Sequence, residues 1–339
     1  MVSQVSLVGG SGFIGTRLAG RLETAGYAFK IFDRKESALY PLQSLCGDVR
    51  SLDELRGSLP SCCTLVNLAA EHRDDVRPVS LYDEVNVQGA QNLCEVAREK
   101  GIERIVFTST VAVYGFAPPG TDESGEIKYF NDYGRTKWLA EEVYREWQAE
   151  DPQRRSLVII RPTVVFGEQN RGNVYNLLRQ IASGRFVMVG NGANRKSMAY
   201  VENVAAFLEY SLSFLPGVHI YNYIDKPDFD MNELVSVVRG LLKSNSRGES
   251  NMGFNGWLRL PYALGLAAGY VFDGLALATG RTLPISSIRV KKFCATTQFE
   301  TSVAKTGFVP TVPLKEGLER TVRHEFLEDH SGEQEFFTE

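Results

Sequence analysis

Short apolar runs alternate with longer amphipathic segments through the first half of the chain. The short runs have the length and composition of buried strands, whereas the longer segments repeat apolar residues at helical spacing. We predict strands at Val5–Val8, Ala28–Phe32, Thr64–Leu68, Arg104–Ser109 and Ser156–Arg161. Helices are predicted between them, at Phe13–Ala25, Leu81–Lys100 and Tyr133–Trp147.

Strands that alternate with helices require crossover connections, and such connections build a parallel sheet with helices on both faces. The first half therefore predicts the α/β class, with a doubly wound parallel (Rossmann) sheet over residues 1–167. Later helices are predicted at Val174–Ser183, Val201–Leu212 and Asn232–Leu242. We predict a smaller mixed α/β C-terminal substrate domain from residues 168–198 and 226–330, with 199–225 returning to the sheet domain. A frayed acidic tail is expected after Glu328, with residues 331–339 outside both domains.

Composition excludes several classes of protein. The 339 residues are 43% hydrophobic and 23% charged, which is typical of globular domains. A formal net charge of −4 lacks the basic surface of a nucleic-acid-binding protein, so no nucleic-acid partner is expected. The scattered cysteines and histidines show no metal-ligand spacing, so no metal site is expected. The start of the chain leaves no room for a leader, and we expect a cytoplasmic protein with reduced cysteines.

One apolar stretch in the second half raises the question of a membrane. It runs from Leu260 to Thr279 and contains Pro261, Gly265, Gly269, Asp273 and Gly274. Each uninterrupted piece is shorter than the roughly 18–20 apolar residues of a membrane span. We therefore predict no span, and instead a subdomain helix over the active cleft. Binding of this stretch to a membrane surface is the alternative.

A glycine-rich loop lies between the first strand and the first helix. Residues 9–15 read GGSGFIG, which places Gly9, Gly12 and Gly15 three residues apart. Such glycines permit a tight turn and let the backbone approach a pyrophosphate, which the amides of the helix N-terminus then face. The loop in this position predicts a dinucleotide-binding site.

An acidic residue after the second strand indicates which dinucleotide is bound. The Asp33 carboxylate would accept hydrogen bonds from the adenosine ribose hydroxyls, as in NAD-binding proteins. It would repel a 2′-phosphate, since like charges about 4 Å apart cost roughly 4 kcal/mol at an effective dielectric constant near 20. Arg34 and Lys35 follow and would partly offset that repulsion. The prediction is NAD rather than NADP, with Asp48 near the adenine edge.

A serine/threonine, tyrosine and lysine combination predicts the chemistry. The fifth strand ends in FTSTVAVYG, and the string YGRTK places Tyr133 and Lys137 four residues apart on one face of a helix. A tyrosine with a pKa near 10 is a poor base at neutral pH. Lowering its pKa by about three units needs roughly 4 kcal/mol, which a close ammonium and a cationic nicotinamide together could supply. Ser109 or Thr110 could hydrogen-bond the substrate oxygen.

With these motifs in this order, the chain resembles the extended short-chain dehydrogenase/reductase family, in its nucleotide-sugar epimerase/dehydratase branch. The matching strings up to residue 167 are GGSGFIG, CGDV, VNLAA, VNVQGAQNL, FTSTVAVYG, YGRTK and IIRPTVVFG. Weaker matches extend the resemblance over nearly the whole chain; they are NVYNLL, GNG at 190–192, AYVENV and GFVP with LKEGLERTV.

The resemblance implies roles for residues at the matching positions. The implied catalytic group is Thr110, Tyr133 and Lys137. The implied NAD contacts are Gly9, Gly12, Phe13, Ile14, Gly15, Asp33, Arg34, Asp48, Val49, Leu68, Ala69, Ala70, Asn86, Ser109, Tyr133, Lys137 and Thr163. The implied substrate contacts are Thr110, Asn173, Val174 and a cation for the diphosphate. The family usually has a single arginine for that contact, whereas this chain has Arg195 and Lys196, and either could serve. A homodimer paired through the helices at 81–100 and 133–147 is also implied.

The residues after Thr110 distinguish between reactions of the family. Dehydratases have an acidic residue there, whereas this chain has Val111 and Ala112, as in 4-epimerases. The resemblance thus implies NAD-dependent 4-epimerisation of a nucleotide sugar, with uridine as the usual base. The implied reaction passes through a 4-keto intermediate and serves surface polysaccharide synthesis.

Three alternatives to the epimerase remain. One is an NAD(P)H-dependent reductase of a 4-keto nucleotide sugar that uses the same residues. Another is a 3β-hydroxysteroid dehydrogenase-like alcohol oxidoreductase, which the apolar stretch and the following PISSIRVKKF resemble. The last is a non-catalytic NAD-binding regulator, against which the presence of both Tyr133 and Lys137 argues.

Overall fold

The computed structural model describes residues 4–73, 76–245, 258–279 and 286–338. A sheet of seven strands, all parallel, has the order β3-β2-β1-β4-β5-β6-β10. Its strands are β1 (Val5–Val8), β2 (Phe29–Asp33), β3 (Ser44–Cys46), β4 (Thr64–Asn67), β5 (Arg104–Thr108), β6 (Ser156–Pro162) and β10 (Gly217–Tyr223). The predicted doubly wound parallel sheet is therefore confirmed.

The helices of the first half cover both faces of this sheet. They are α1 (Phe13–Thr24), α2 (Leu52–Ser58), α3 (Ser80–Tyr82), α4 (Gly89–Glu99) and α5 (Asp132–Ala149), with 3-10 turns at Pro41–Gln43 and Val111–Tyr114. The predicted helix at 81–100 is α3, a π-helical stretch at Asp83–Gln88 and α4 in succession. One apolar core lies between the sheet, α1 and α7 (Val201–Ser211), and a second between the sheet, α2, α4 and α5.

The rest of the chain adds two small sheets and a third core. The sheets are β7 (Val164–Phe166) with β9 (Arg195–Tyr200) and β11 (Asp225–Asp230), and β8 (Met188–Val189) with β12 (Arg259–Leu260). The helices are α6 (Asn173–Ala182), α8 (Met231–Asn245), α9 (Tyr262–Thr279), α10 (Ser287–Cys294) and α11 (Leu314–Phe326), with a 3-10 turn at Val303–Thr306. The third core joins α6, α8 and α11. Helix α7 packs against α1 on one face of the main sheet, and β10 is an edge strand of that sheet. The domain boundaries stay a prediction.

The expectation of a frayed tail after Glu328 is wrong. Phe336 is buried in the third core and exchanges backbone hydrogen bonds with the loop that precedes α6. Its carbonyl accepts from the Arg171 amide at 2.8 Å, and its amide donates to the Gln169 carbonyl at 2.9 Å. The Thr338 hydroxyl donates to Asn170 at 2.7 Å. Because this segment buries an aromatic ring and pairs its backbone, it is part of the fold.

The apolar stretch forms one continuous helix, so its glycines do not interrupt it. A Cβ at Gly265 would lie 2.6 Å from the Val189 side chain, and one at Gly269 would lie 2.8 Å from the Ser287 backbone. The two glycines therefore mark the side of α9 that packs closely on β8 and the start of α10. Among the described residues, no helix has both the length and the apolarity to cross a bilayer. Its predicted position over the active cleft stays a prediction.

Candidate active site

The glycine-rich loop turns tightly between β1 and α1. Gly9 has φ +75°, and a Cβ there would lie 2.4 Å from the Ala69 amide nitrogen. A Cβ at Gly15 would lie 2.5 Å from the Gly10 carbonyl oxygen. At Gly12 a Cβ would make only an ordinary contact at 3.6 Å, so the protein itself leaves room there. Gly12 is also the N-cap of α1 and has no side-chain cap, which leaves the first amides of the helix to bind an anion.

Asp33 lies at the carboxyl end of β2, beside this loop. Its Oδ2 accepts from the Ser11 amide at 3.0 Å, and its Oδ1 accepts from the Lys35 amide at 3.1 Å. The two backbone amides fix the carboxylate in place, and its remaining lone pairs can accept from a ribose. The ribose contact of Asp33 stays a prediction.

Thr110 and Tyr133 meet at the point where β5 ends and α5 begins. Thr110 caps the 3-10 turn at 111–114, where its hydroxyl oxygen accepts from the Ala112 amide at 3.1 Å. Burial raises the pKa of Tyr133 to about 12, and a hydrogen bond from the Thr110 side chain acts in the opposite direction. The phenol is therefore the resting form, and Thr110 is placed to stabilise the phenolate.

Lys137 follows Tyr133 by one helical turn and is almost completely buried. Its Nζ lies 4.2 Å from the centroid of the Phe107 ring. Burial lowers the pKa of Lys137 to about 7, against a smaller opposite effect of Glu141. Within the described part of the chain, no hydrogen bond partner is found for this amine. A buried amine without a protein acceptor fits a bound dinucleotide, whose oxygens would accept its hydrogen bonds. The space at Gly12 fits the same ligand.

A buried polar network that the sequence analysis missed lies next to this group. Glu141, one turn after Lys137, accepts from Ser109 Oγ at 2.5 Å and from Arg161 Nη2 at 2.5 Å. Arg161 Nη1 donates to Tyr114 Oη at 2.6 Å, and Tyr114 donates to Asn222 Oδ1 at 2.9 Å. The network ties α5 to β5, β6 and β10 and holds the strand end that presents Thr110. The four-residue spacing from Lys137 to Glu141 was the signal available in the sequence.

Asn86 connects the cofactor loop to the catalytic helix. From the π-helical stretch, it accepts from the Glu71 amide at 2.8 Å and donates to the Glu71 carbonyl at 2.9 Å. It also donates to the Thr136 hydroxyl at 2.9 Å, next to Lys137. These bonds make Asn86 a positioning residue for the loop that follows β4 and for α5. The predicted cofactor contacts at Leu68, Ala69 and Ala70 lie in or next to that loop.

The contacts of three predicted site residues differ from their predicted roles. The Ser109 hydroxyl donates to Glu141 inside the protein, so it cannot also donate to a cofactor. The Val174 side chain packs in the third core, although Asn173 beside it is exposed. Lys196 Nζ donates to the Lys292 and Ala295 carbonyls at 2.9 and 2.6 Å, which uses this cation to hold the C-terminal segment. Arg195 is exposed, and the diphosphate contact stays a prediction for it.

Most of the remaining predicted cofactor residues follow the carboxyl ends of strands in the main sheet. Asp48 pairs with Arg50 at 2.8 Å, and that hydrogen bond lowers the pKa of Asp48. Val49 is buried in the second core. Thr163 donates from its amide to the Tyr223 carbonyl at 3.2 Å, between β6 and β7. Phe13 and Ile14 turn their side chains into the cores, so a cofactor would meet only their amides. Arg34 is exposed.

One side-chain cluster resembles a metal site more than the sequence suggested. His324, His330 and Glu333 place one potential ligand atom each within 4.8 Å of one another. The histidine rings are stacked with centroids 3.7 Å apart, and both contact the Glu333 carboxylate. Gln169 Nε2 donates to the same carboxylate at 2.7 Å. Because the two imidazoles and the carboxylate already take part in hydrogen bonds, we interpret the cluster as a structural contact that holds the C-terminal segment against the protein.

Comparison with known proteins gives one family and several full-length relatives. The NAD dependent epimerase/dehydratase family matches residues 5–222. The chain is 51% identical over 331 residues to N-acetyl-alpha-D-glucosaminyl-diphospho-ditrans,octacis-undecaprenol 4-epimerase of Escherichia coli O157:H7, with 96% of each chain covered. It is 26% identical to a decarboxylating sterol-4-alpha-carboxylate 3-dehydrogenase of Candida albicans, over 95% of this chain and 97% of that one. The solved structure of MoeE5 in complex with UDP-glucose and NAD has a TM-score of 0.71 at 23% identity, over 95% and 98% of the two chains.

Proposed function

Because the chain belongs to the NAD-dependent epimerase/dehydratase family, we propose that it inverts C4 of a sugar that is carried on a diphosphate. The resemblance found in the sequence, an enzyme of this family with NAD as cofactor, is confirmed. The observation that carries the proposal is the placement of Tyr133 and the buried Lys137 one turn apart on α5, with Thr110 just after β5. The 51% identity to a 4-epimerase supports this reaction over the others in the family.

The chain's own residues account for the proton transfers. NAD, when bound, supplies a hydride acceptor for C4 and a positive ring charge. As the phenolate, which the Lys137 ammonium and the positive ring of bound NAD would stabilise, the Tyr133 oxygen takes the proton of the 4-hydroxyl and later returns it. Thr110 donates to that oxygen and stabilises its negative charge. The Lys137 ammonium is well placed to hold cofactor hydroxyls and to stabilise the phenolate at the same time.

The carrier of the sugar is the finer part of the proposal. The sequence predicts a nucleotide sugar, whereas the E. coli relative is named for a sugar on undecaprenyl diphosphate. The relative matches at 51% identity over 96% of the chain, while MoeE5, solved with UDP-glucose, matches at 23%. We therefore propose that N-acetylglucosamine on a polyprenyl diphosphate is the preferred substrate, with the nucleotide sugar as the second candidate.

The test is product identification on both carriers. Purified protein is incubated with NAD and either N-acetylglucosaminyl-diphospho-undecaprenol or UDP-N-acetylglucosamine, and the released sugars are analysed by NMR. The proposal predicts N-acetylgalactosamine from the lipid substrate without net formation of NADH. Stoichiometric oxidation or reduction of the cofactor would instead identify an oxidoreductase. Inversion of the nucleotide sugar without inversion of the lipid-linked sugar would show that the nucleotide sugar, and not the polyprenyl-linked sugar, is the preferred substrate.

A sterol-like alcohol is the second candidate substrate. Its support is the full-length match to the sterol dehydrogenase together with the apolar helix α9. The match is weaker, at 26% identity. Reduction of NAD with a 3β-hydroxysteroid would favour this candidate, and no turnover of that alcohol would exclude it.

We also propose a homodimer that pairs α4 and α5 of two copies in a cytoplasmic enzyme. The two helices lie against each other, and Arg98 of α4 pairs with Glu150 after α5 at 2.6 Å. None of the strongly exposed large hydrophobic side chains of the described residues lies on either helix, so the interface would be largely polar. Light scattering of the purified protein at micromolar concentration tests this: a dimer mass supports the pairing and a monomer mass refutes it.

A further inference from the structure

One face of helix α9 is apolar and exposed from Leu264 to Leu275. Leu264, Ala267, Val271 and Leu275 follow one another at helical spacing on this apolar face, and all four are exposed. The Leu264, Val271 and Leu275 side chains are 58%, 62% and 48% exposed. An apolar surface of this kind on a water-soluble domain marks a site that another surface covers.

The opposite side of α9 is fixed to the protein. Gly265 and Gly269 contact β8 and the start of α10, as their close approaches show. Asp273, the single charged residue of the helix, accepts from the Ser287 amide at 3.2 Å. The helix is thus held in one orientation, and its exposed face carries no charge.

Basic residues lie close to α9 on the neighbouring elements. Arg259 lies just before α9, and Arg289 and Lys291 lie on α10, which packs against it. Lys291 Nζ is 5.3 Å from the centroid of the Tyr270 ring on α9. Arg259 and Lys291 also line a cavity of about 770 Å³ that reaches Tyr262 at the start of the helix. Within 258–279 and 286–298, Asp273 is the one acidic residue, and it is half-buried.

We propose that the apolar face of α9 docks in the plane of a lipid bilayer that contains anionic lipids, without crossing it. An apolar helix face beside a cluster of basic side chains matches the apolar and anionic layers of such a surface. A symmetric contact between two copies is less suited to it, because it would bring the basic residues of both copies together, with only the half-buried Asp273 of 258–279 and 286–298 as an acidic partner. The inference deepens the proposed function: a bilayer holds polyprenyl-linked sugars, and docking brings the enzyme to them.

The experiment is flotation of the NAD-loaded, full-length protein with vesicles of phosphatidylglycerol and phosphatidylethanolamine, compared with phosphatidylcholine vesicles. The test variant is Leu264→Asp with Val271→Asp, two residues of the apolar face. The control is Leu42→Asp, because Leu42 is also exposed, at 88%, but lies on the 3-10 turn at 41–43. A second variant, Arg289→Gln with Lys291→Gln, removes charge and leaves the apolar face intact.

We expect the wild type to float with the anionic vesicles, and more weakly at high salt. The double aspartate variant should bind at least about tenfold more weakly, the charge variant should lose its preference for anionic lipid, and Leu42→Asp should behave as wild type. Thermal melting confirms that each variant is folded. Equal flotation of the aspartate variant and the wild type would overturn the proposal. The proposal would also be overturned if the wild-type protein did not bind vesicles and the aspartate substitutions converted a dimer to a monomer.

Epimerase activity on lipid substrate in detergent micelles separates this inference from the proposed function. If the wild type inverts the sugar in micelles but does not bind vesicles, the docking surface is wrong and the function stands. If it binds vesicles through α9 but inverts no sugar on either carrier, the docking surface stands and the function is wrong.

Discussion

Arg161 Nη2 lies 2.5 Å from the Glu141 carboxylate, and both side chains are buried almost completely. Arg161 is the next-to-last residue of the apolar strand β6, and Glu141 is one turn after Lys137 on α5. The pair therefore connects the catalytic helix to the carboxyl end of β6, and it extends through Tyr114 to Asn222 on the edge strand β10. The position of Thr110 and Tyr133 depends on elements that this network joins.

Removing one partner of the pair should destabilise the protein strongly. In Glu141→Gln, the Arg161 charge would stay buried without its counterion, and we expect a loss of about 3–5 kcal/mol in the free energy of unfolding. Replacing both residues by apolar ones, as Glu141→Leu with Arg161→Met, should recover much of that loss. Denaturation by urea measures both, and Glu142→Gln on the same helix is the control. A double variant less stable than Glu141→Gln would contradict this account.

Beyond the four-residue spacing from Lys137 to Glu141, the local sequence pattern does not reveal this network. Glu141 lies in AEEVYREW, where it looks like one of several surface acids, and Arg161 follows the apolar residues of β6. Only the packing of α5 on the sheet turns the first of the two adjacent glutamates inward. Lys196 shows the same limit, because its two carbonyl partners come from a segment about a hundred residues later.

The sequence predicted the fold better than it predicted the side-chain contacts. The glycine loop and the alternating pattern predicted β1, β2, β4, β5 and β6, because buried parallel strands are continuous apolar runs. The edge strand β3 was missed, since SLC is too short and too polar to stand out. β10 was also missed, because GVHIYNY owes its place to pairing with β6 rather than to its own pattern.

Asp33 should select NAD over NADP. Its carboxylate, held by the Ser11 and Lys35 amides, would lie against the extra phosphate of NADP. In Asp33→Asn the hydrogen-bond acceptor remains but the negative charge is lost. The ratio of NAD affinity to NADP affinity should therefore fall by at least about tenfold. Asp53→Asn, at an exposed position on α2, is the control. Calorimetric titration with both cofactors is the measurement, and tighter wild-type binding of NADP would refute the assignment.

Lys137→Met should change stability in a pH-dependent manner. The folded pKa of Lys137 is about 7 against an ordinary value of 10.5, so between these pH values the unfolded chain binds the additional proton. Wild-type stability therefore rises with pH through this window, and the cost of burying the charge is complete below pH 7. In cofactor-free protein, Lys137→Met should be more stable than the wild type at pH 6, with a difference that shrinks towards pH 10.

Thermal melting across this pH range checks the prediction, with the exposed Lys128→Met as control. A difference between Lys137→Met and wild type that stays constant with pH would show that the amine is not buried as charge in the folded protein. Calorimetry on the same variant should show weaker NAD binding, because the amine would otherwise hold cofactor hydroxyls.

The most direct test of the account is the turnover of Tyr133→Phe on the sugar diphosphate substrate. Phenylalanine keeps the ring but has no oxygen to take the proton, so we predict a loss of about 10²–10⁴ in rate with NAD affinity almost unchanged. Tyr129→Phe, at an exposed tyrosine just before α5, should turn over like the wild type. Turnover of Tyr133→Phe within a few fold of wild type would contradict the proposed role of Tyr133 as the catalytic base.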